Sequence, residues 1–355
     1  MSTRVVITGA GVVSPLGQSL ALTREALAAG RSAVGPVTSF DASRFGITHG
    51  AELREFDPRP SFSAPKALKM ADRAAQLAVV AARAALNAAL WRGETARPLG
   101  VLMGTSGHDL RLADIAGAIG RDDEQRAVSD AVWAGTRIMD GLPPLWLVSV
   151  LPNMISAHVA MQVSATGPCS TVMSSDAAGV QAIGEAVDWI RCGEADAVLA
   201  GGADCALYPF VLAAWTQAGL HRIPGEGAAV WLLEDRDHAL ARGAPILAEV
   251  LAHGSTGAGV VQCDHLVDDL CAWGGVQREY VRWTAGDVVR TGARHVDWYD
   301  QLGDALAATV PMAATLALTT PVRETRADGI IAVCGSTGPS AAVAVRIETR
   351  GEAHV

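Results

Sequence analysis

Aromatic side chains are scarce in this 355-residue chain, only 5% of it, although half of its residues are hydrophobic. Alanine and glycine supply much of the rest, so a core has to form by close approach of helix to sheet through small side chains. That disfavours a β-sandwich and favours an α/β fold. No run of 18 or more uncharged apolar residues occurs, so no membrane-spanning helix and no membrane partner is expected. Residues 1–8 enter a strand-like segment without a charged stretch, an apolar stretch and a cleavage site ahead of it; the expected location is cytoplasmic. The six cysteines (169, 192, 205, 263, 271 and 334) form no C-x-x-C pair and lack the density of a disulfide scaffold. They are expected to be reduced and structural, with no metal site. Basic charge is short as well: 28 Lys and Arg stand against 37 Asp and Glu, a net charge of −9, and no basic run gathers on the sequence. Nucleic acid is therefore not an expected partner.

What is present is an alternation of strands and helices. Residues 4–8 form a β-branched run that ends in Gly9-Ala10-Gly11, the pattern of a buried strand feeding a tight turn. It is not a dinucleotide fingerprint, because Ser14 stands in the place of the third glycine and Pro15 follows at once. Residues 65–90 carry Ala, Leu and Val at helical spacing, and 100–107 read as another strand running into a glycine turn. The most informative stretch begins at Gly167-Pro168, which opens a strand at 170–174. A helix starts at Asp176, with Val180, Ile183, Val187 and Ile190 on one stripe and Arg191 and Gly193 at its C-terminal end. A short strand at 197–200 then ends in Gly201-Gly202. Residues 251–300 have weak periodicity and predict irregular structure over a helix or two. An Ala/Leu helix is predicted at 302–318 and two joined strands at 329–333 and 342–347, with fraying from 348.

These segments resemble the β-ketoacyl synthase family, a branch of the thiolase fold. The resemblance runs through residues 5–17, Leu-Pro-Asn-Met at 151–154, Gly-Pro-Cys-Ser-Thr-Val at 167–172, Ile-Arg-Cys-Gly-Glu-Ala-Asp at 190–196 and Leu-Ala-Gly-Gly at 199–202. It continues through Gly-Glu-Gly-Ala at 225–228 and His-Ala-Leu-Ala-Arg-Gly-Ala at 238–244, all in the family's order. It is dense from 1 to about 250 and thin beyond. It implies an α/β, thiolase-like fold of two pseudo-repeated halves in α-β-α-β-α layers. The halves are expected at 1–235 and 236–355, the second one shortened.

The resemblance also says where chemistry is expected. The family pattern Thr-Val-Ser-Thr-Ala-Cys-Ala-Ser-Gly lies without gaps on residues 171–179, and the nucleophilic cysteine falls on Asp176. A carboxylate is a poor acceptor for a thioester acyl group, since a mixed anhydride is far less stable than the thioester it came from. Asp176 is expected instead to accept amide hydrogen bonds as a helix cap. The family's two histidines align with Thr284 and Asp300, its lysine with His295, and its gating phenylalanine with Ser336. The segments around 222–225 and 255–300 are shorter than in the family.

Loss of nucleophile, histidines, lysine and loops together implies a site that does not condense. The resemblance is then to a chain length factor: a silent subunit of a type II polyketide synthase, paired as a heterodimer with an active ketosynthase and bounding its acyl tunnel. Such a subunit binds no cofactor of its own and works with the phosphopantetheine arm of an acyl carrier protein. Trp146, with Met154 and Met161, is the expected ruler of chain length at the interface and tunnel. Two alternatives stand beside this one. Asp176 could serve a diverged acyl transferase or decarboxylase acting on acyl carrier protein substrates, or the chain could be a homodimer that binds acyl chains or the carrier protein.

Overall fold

Val5–Val13 is buried along its whole length and forms β1, the strand at the centre of the molecule. Two of its residues are glycines for a steric reason: a Cβ at Gly9 would lie 2.2 Å from the carbonyl oxygen of Ala85, and one at Gly11 would lie 2.0 Å from that of Ala81. The helix carrying those alanines therefore rests directly on the strand. This is the close small-residue packing that the lack of aromatics called for.

The computed structural model describes residues 3–93, 96–107, 141–142, 145–257, 260–275, 281–285, 294–296, 298–319, 326–334 and 339–348. After β1 come α1 (Leu20–Ala28), β2 (Val34–Pro36), β3 (His49–Ala51), α2 (Pro65–Met70), α3 (Arg73–Ala88) and β4 (Gly100–Thr105). Next are α4 (Trp146–Val150), α5 (Met154–Val163), β5 (Cys169–Met173), α6 (Ala178–Arg191) and β6 (Ala197–Cys205). Then follow α7 (Pro209–Gln217), β7 (Glu226–Asp235), α8 (Arg236–Ala241), β8 (Ala248–Thr256) and α9 (Val260–Gly274). The chain closes with β9 (Val281–Ala285), β10 (Arg294–Val296), α10 (Tyr299–Leu302), α11 (Thr309–Leu318), β11 (Arg326–Cys334) and β12 (Ser340–Glu348).

Strand order shows an internal repeat. One half runs β5-β4-β6-β7-β1 and the other β10-β9-β11-β12-β8, joined by a short antiparallel ladder between β1 and β8. In each half the outer two pairings are parallel and the inner two antiparallel. Helices α3 and α5 cover the outer face of the first half, α9 packs on β8, β11 and β12, and α6 and α11 lie between the two sheets. The layers are thus α-β-α-β-α, and the fold is thiolase-like.

The stripe read on α6 is buried as expected: Val180, Ile183, Val187 and Ile190 are each at most 3% exposed and belong to the cluster between the sheets. Each such side chain contributes about 1.5–3 kcal/mol. Trp231 of β7, fully buried, donates its indole N–H to Thr315 Oγ1 of α11 at 2.7 Å and so ties the middle layer to the first sheet. The region 251–300 holds more regular structure than its periodicity suggested, since β8 runs on to Thr256 and α9 spans 15 residues. The helix predicted from 302 begins only at Thr309. Asp304 explains the delay. Its Oδ1 accepts the Leu306 amide at 2.8 Å and the Thr309 hydroxyl at 3.1 Å, which holds 304–308 as a capped turn.

Candidate functional site

Two turns meet where the halves face each other. The first follows β5: Ser175–Ala177 is a single 3₁₀ turn leading into α6, and Ser175 has φ 51°. The second is the turn after Gly303, in which Leu306 also has φ 51°. Left-handed backbone at a serine and a branched leucine is strained, and it survives only where the surroundings enforce it. What enforces it is contact between the turns. A Cβ on Gly179 of α6 would lie 2.2 Å from the Ala307 carbonyl oxygen, and one on Gly202 of β6 would lie 2.1 Å from it. Only glycine at both positions lets the second turn settle on the start of α6.

Asp176 sits on the first turn and Asp304 on the second. Between them lies Arg222, from the short segment that joins α7 to β7. Its Nη1 donates to Asp176 Oδ2 at 2.8 Å and to Asp304 Oδ2 at 2.8 Å, and its guanidinium lies 5.9 Å from the Trp215 ring centroid. The segment is fixed by the same turn that it serves: the Asp304 amide donates to the Ile223 carbonyl at 2.7 Å, and the Gly225 amide donates to the Asp304 carbonyl at 2.8 Å. The Asp304 side chain is 3% exposed, that of Asp176 24% and that of Arg222 27%.

Burial raises the Asp304 carboxyl above the ordinary aspartate range, and Asp176 beside it adds to the rise, while Arg222 opposes both. Burial also works against the guanidinium charge, but the two carboxylates outweigh it and raise Arg222 above the ordinary arginine value. Beneath the second turn, Asp204 at the end of β6 accepts from the Ser106 amide at 2.7 Å, from the Ser106 hydroxyl, and from the Ala307 amide at 3.4 Å. Its complete burial outweighs these donors and pushes it up to about 7.

The expected site residues are placed unevenly. Asp176 is at the centre, but it does not cap α6: its carboxylate is turned to Arg222, and α6 has no side-chain cap. The arginine outcompetes the amides because an ion pair at hydrogen-bond distance is the stronger interaction. Asp300 is not in the site. It is exposed on α10, and its carbonyl accepts from the Ser32 hydroxyl. The acidic residue that faces Asp176 across Arg222 is Asp304, four positions later. Thr284 and His295 are register partners on β9 and β10 in the second half; their side chains lie outside the described residues, as does Ser336.

Trp146 begins α4, and Met154 begins α5. Met161 is 55% exposed near the end of α5. α4 packs on α5, and α5 on β5, at one end of the sheet. Sequence reasoning missed Arg222 altogether. The available signal was the shortened segment at 219–225, which leaves one arginine between two apolar stretches. Among the described residues no group of three or more His, Cys, Asp and Glu side chains is arranged to hold a metal ion.

The geometry invites comparison with known proteins. The profile of the β-ketoacyl synthase N-terminal domain matches residues 2–239. A 3-oxoacyl-[acyl-carrier-protein] synthase 2 of Synechocystis is 32% identical over 275 residues, covering 71% of this chain and 62% of the relative. The actinorhodin polyketide putative beta-ketoacyl synthase 1 of Streptomyces coelicolor is 32% identical over 333 residues, covering 84% of this chain and 66% of the relative. The chain thus spans somewhat under two thirds of the length of these curated relatives. Among solved structures, the ishigamide ketosynthase/chain length factor superposes with a TM-score of 0.81 over 99% of this chain and 100% of that one, at 24% identity. With the repeated sheet halves, the strained turns before Asp176 and after Asp304, and a profile match over most of the chain, the protein belongs to the β-ketoacyl synthase family.

Proposed function

We propose that this chain is a non-condensing ketosynthase-like subunit, of the chain-length-factor kind, that pairs with an active β-ketoacyl synthase. In that pair it bounds the acyl tunnel during type II polyketide, polyene or fatty-acid-like synthesis. The observation that carries the proposal is the triad of Asp176, Arg222 and Asp304. The nucleophile's place holds a carboxylate that cannot keep a thioester-level acyl group, and that carboxylate is already committed to an arginine. An acyl transferase or decarboxylase working through Asp176 would need it free.

The second support is the end of the sheet. β5 is an edge strand with Cys169, Ser170 and Met173 exposed, and α5 packs beside it. Leu145, Leu147, Leu151, Met161 and Met173 are each 39–58% exposed. Among the described residues this edge has no partner strand, and with so much exposed apolar surface beside it, it is a place for another subunit. Trp146, Met154 and Met161 lie on the helices along it, where side chains can reach a partner's pocket and limit chain length. The acyl chain would arrive on the phosphopantetheine arm of an acyl carrier protein and be held by the partner, in the cytoplasm. No described helix is long and apolar enough to cross a membrane.

The test is co-expression with an intact ketosynthase encoded beside it, followed by sizing and intact-mass measurement after exposure to acyl-loaded carrier protein. A one-to-one complex acylated only on the partner is expected. Acylation of this chain, or turnover by it alone, would refute the proposal. A stable homodimer that binds acyl carrier protein without a ketosynthase would favour the binding-module alternative.

A further inference from the structure

Arg222 Nη1 is 2.8 Å from both Asp176 Oδ2 and Asp304 Oδ2. A point about 3 Å from the nucleophile's position and from the group opposite it is where a reacting atom has to sit in a working site. Here that point is filled by the chain's own nitrogen. The filling group is not a stray surface side chain. The segment carrying it is anchored by backbone hydrogen bonds from Asp304 to Ile223 and from Gly225 to Asp304, and the Ala51 amide donates to the Pro224 carbonyl at 2.8 Å. Trp215 lies against the guanidinium from the side of α7. The shortened connection and the altered site are therefore one construction, in which a short strap delivers a cation between two carboxylates.

We propose that Arg222 is a built-in occupant of the reaction point, delivered by the segment 219–225, and that it excludes acyl groups from this chain's own site. The proposal rests on the non-condensing reading and names the residue responsible. An acyl thioester entering the site would have to displace the guanidinium. It would then leave Asp304, almost fully buried, and Asp176 facing each other without a counter-ion. A neutral carbonyl offers no compensation for that, because unpaired buried charge is among the costliest arrangements a fold can hold. The lock also spans the halves, since Asp176 and Arg222 come from the first and Asp304 from the second.

If the two carboxylates form a seat for a guanidinium, an external one should fit when the arginine is trimmed. Arg222→Ala in the full chain is expected to melt about 4 °C below wild type. Methylguanidinium, compared with sodium chloride at the same ionic strength and with urea, is expected to recover at least half of that loss, saturably. It should do so neither in wild type nor in Arg222→Ala combined with Asp304→Asn. Recovery in those controls, no recovery in Arg222→Ala, or a wild-type melt for that variant would overturn the proposal.

Should Arg222→Ala fail to fold, the test moves to Asp176→Asn with Asp304→Asn, read by phenylglyoxal modification of Arg222 mapped by mass spectrometry. Modification at least tenfold faster than in wild type is expected. An unchanged rate would mean that the carboxylates do not hold the arginine. Acylation of the wild-type chain would sink the non-condensing reading on its own, whereas failure of the methylguanidinium or phenylglyoxal result would leave that reading standing without its occupant.

Discussion

Asp176→Cys restores the family's nucleophile and nothing else, and it is expected to give a reactive thiol without condensation. The new sulfur would lie next to Arg222 Nη1, which now donates to Asp176 at 2.8 Å. A positive charge about 4 Å away, at an effective dielectric of about 20, favours the thiolate by about 4 kcal/mol. Asp304, on the other side of the same nitrogen, opposes it by about 3 kcal/mol at roughly 6 Å. The small remainder favours the thiolate and lowers the thiol below the ordinary cysteine value. Iodoacetamide should therefore alkylate the new thiol at position 176 faster than an ordinary cysteine at neutral pH, and acyl thioesters should load it slowly. Carbon–carbon bond formation needs more. Among the described residues, the groups facing position 176 are an arginine and a carboxylate, and His221, next to Arg222 in sequence, is exposed. Each positioned acid–base group contributes about 10²–10⁴-fold, so the absence of two costs at least about 10⁴. The assay is intact mass for loading and product mass spectrometry for condensation with a malonyl thioester, using an intact ketosynthase as reference. Condensation within about 100-fold of that reference would refute the view that the whole site, and not one residue, has been converted.

On the proposed pairing, Trp146→Ala should lengthen the products of the complex, because it removes an indole from the edge offered to the partner; unchanged product length eliminates it as the ruler. Cys169, exposed on β5, should be alkylated in the isolated chain and protected in the complex, while Cys192, exposed just beyond α6, labels in both. Equal labelling of Cys169 with and without the partner would remove β5 from the interface. Gly202→Ala places a Cβ 2.1 Å from the Ala307 carbonyl oxygen and should cost about 3 kcal/mol, or about 4 °C in Tm for a chain of this length. Gly257→Ala, with open space around it, is the control, and equal melting of the two would refute the close approach of the turns. For Asp204, the folded value of about 7 lies above the ordinary 3.8, so the fold holds its proton more tightly than the unfolded chain does. Its contribution is fully present below about pH 4 and is lost as pH rises through about 7. Asp204→Asn should flatten the stability slope across that window, measured by urea unfolding, and an unchanged slope would show that another group sets it.

Most of the frame was legible from local pattern. The glycines of β1, the stripe on α6 and the strand–turn–helix around Asp176 follow from spacing alone, since each is decided by neighbours within a few residues. The triad was not legible, because its members are 46 and 82 residues apart and only the approach of the turns brings them together. That Asp304 and not Asp300 faces Asp176 was not legible either, for a physical reason. Both are acidic and both lie within three residues of Gly303, and the pattern there does not say which one faces the site. What separates them is the Asp304 side chain, which bonds Leu306 and Thr309 and stops the helix from starting there. A propensity scale records Asp as a cap former but cannot say which of two nearby aspartates caps.

Stability alone does not account for charge at this site. Asp304 serves its own turn through Leu306 and Thr309, but buried ion pairs are often no better than well-packed apolar residues of similar volume, so apolar side chains at 176 and 222 would hold the two turns together about as well. They would also leave an apolar surface, and an acyl chain competes readily for such a surface through the hydrophobic effect. The triad differs in what it forbids. Any entrant that displaces the guanidinium strands two carboxylates, and any entrant that leaves it in place finds the reaction point occupied. On the proposed pairing, an arginine seated between aspartates is therefore an arrangement by which one subunit keeps the fold and the edge strand of the family while leaving the growing chain to the other.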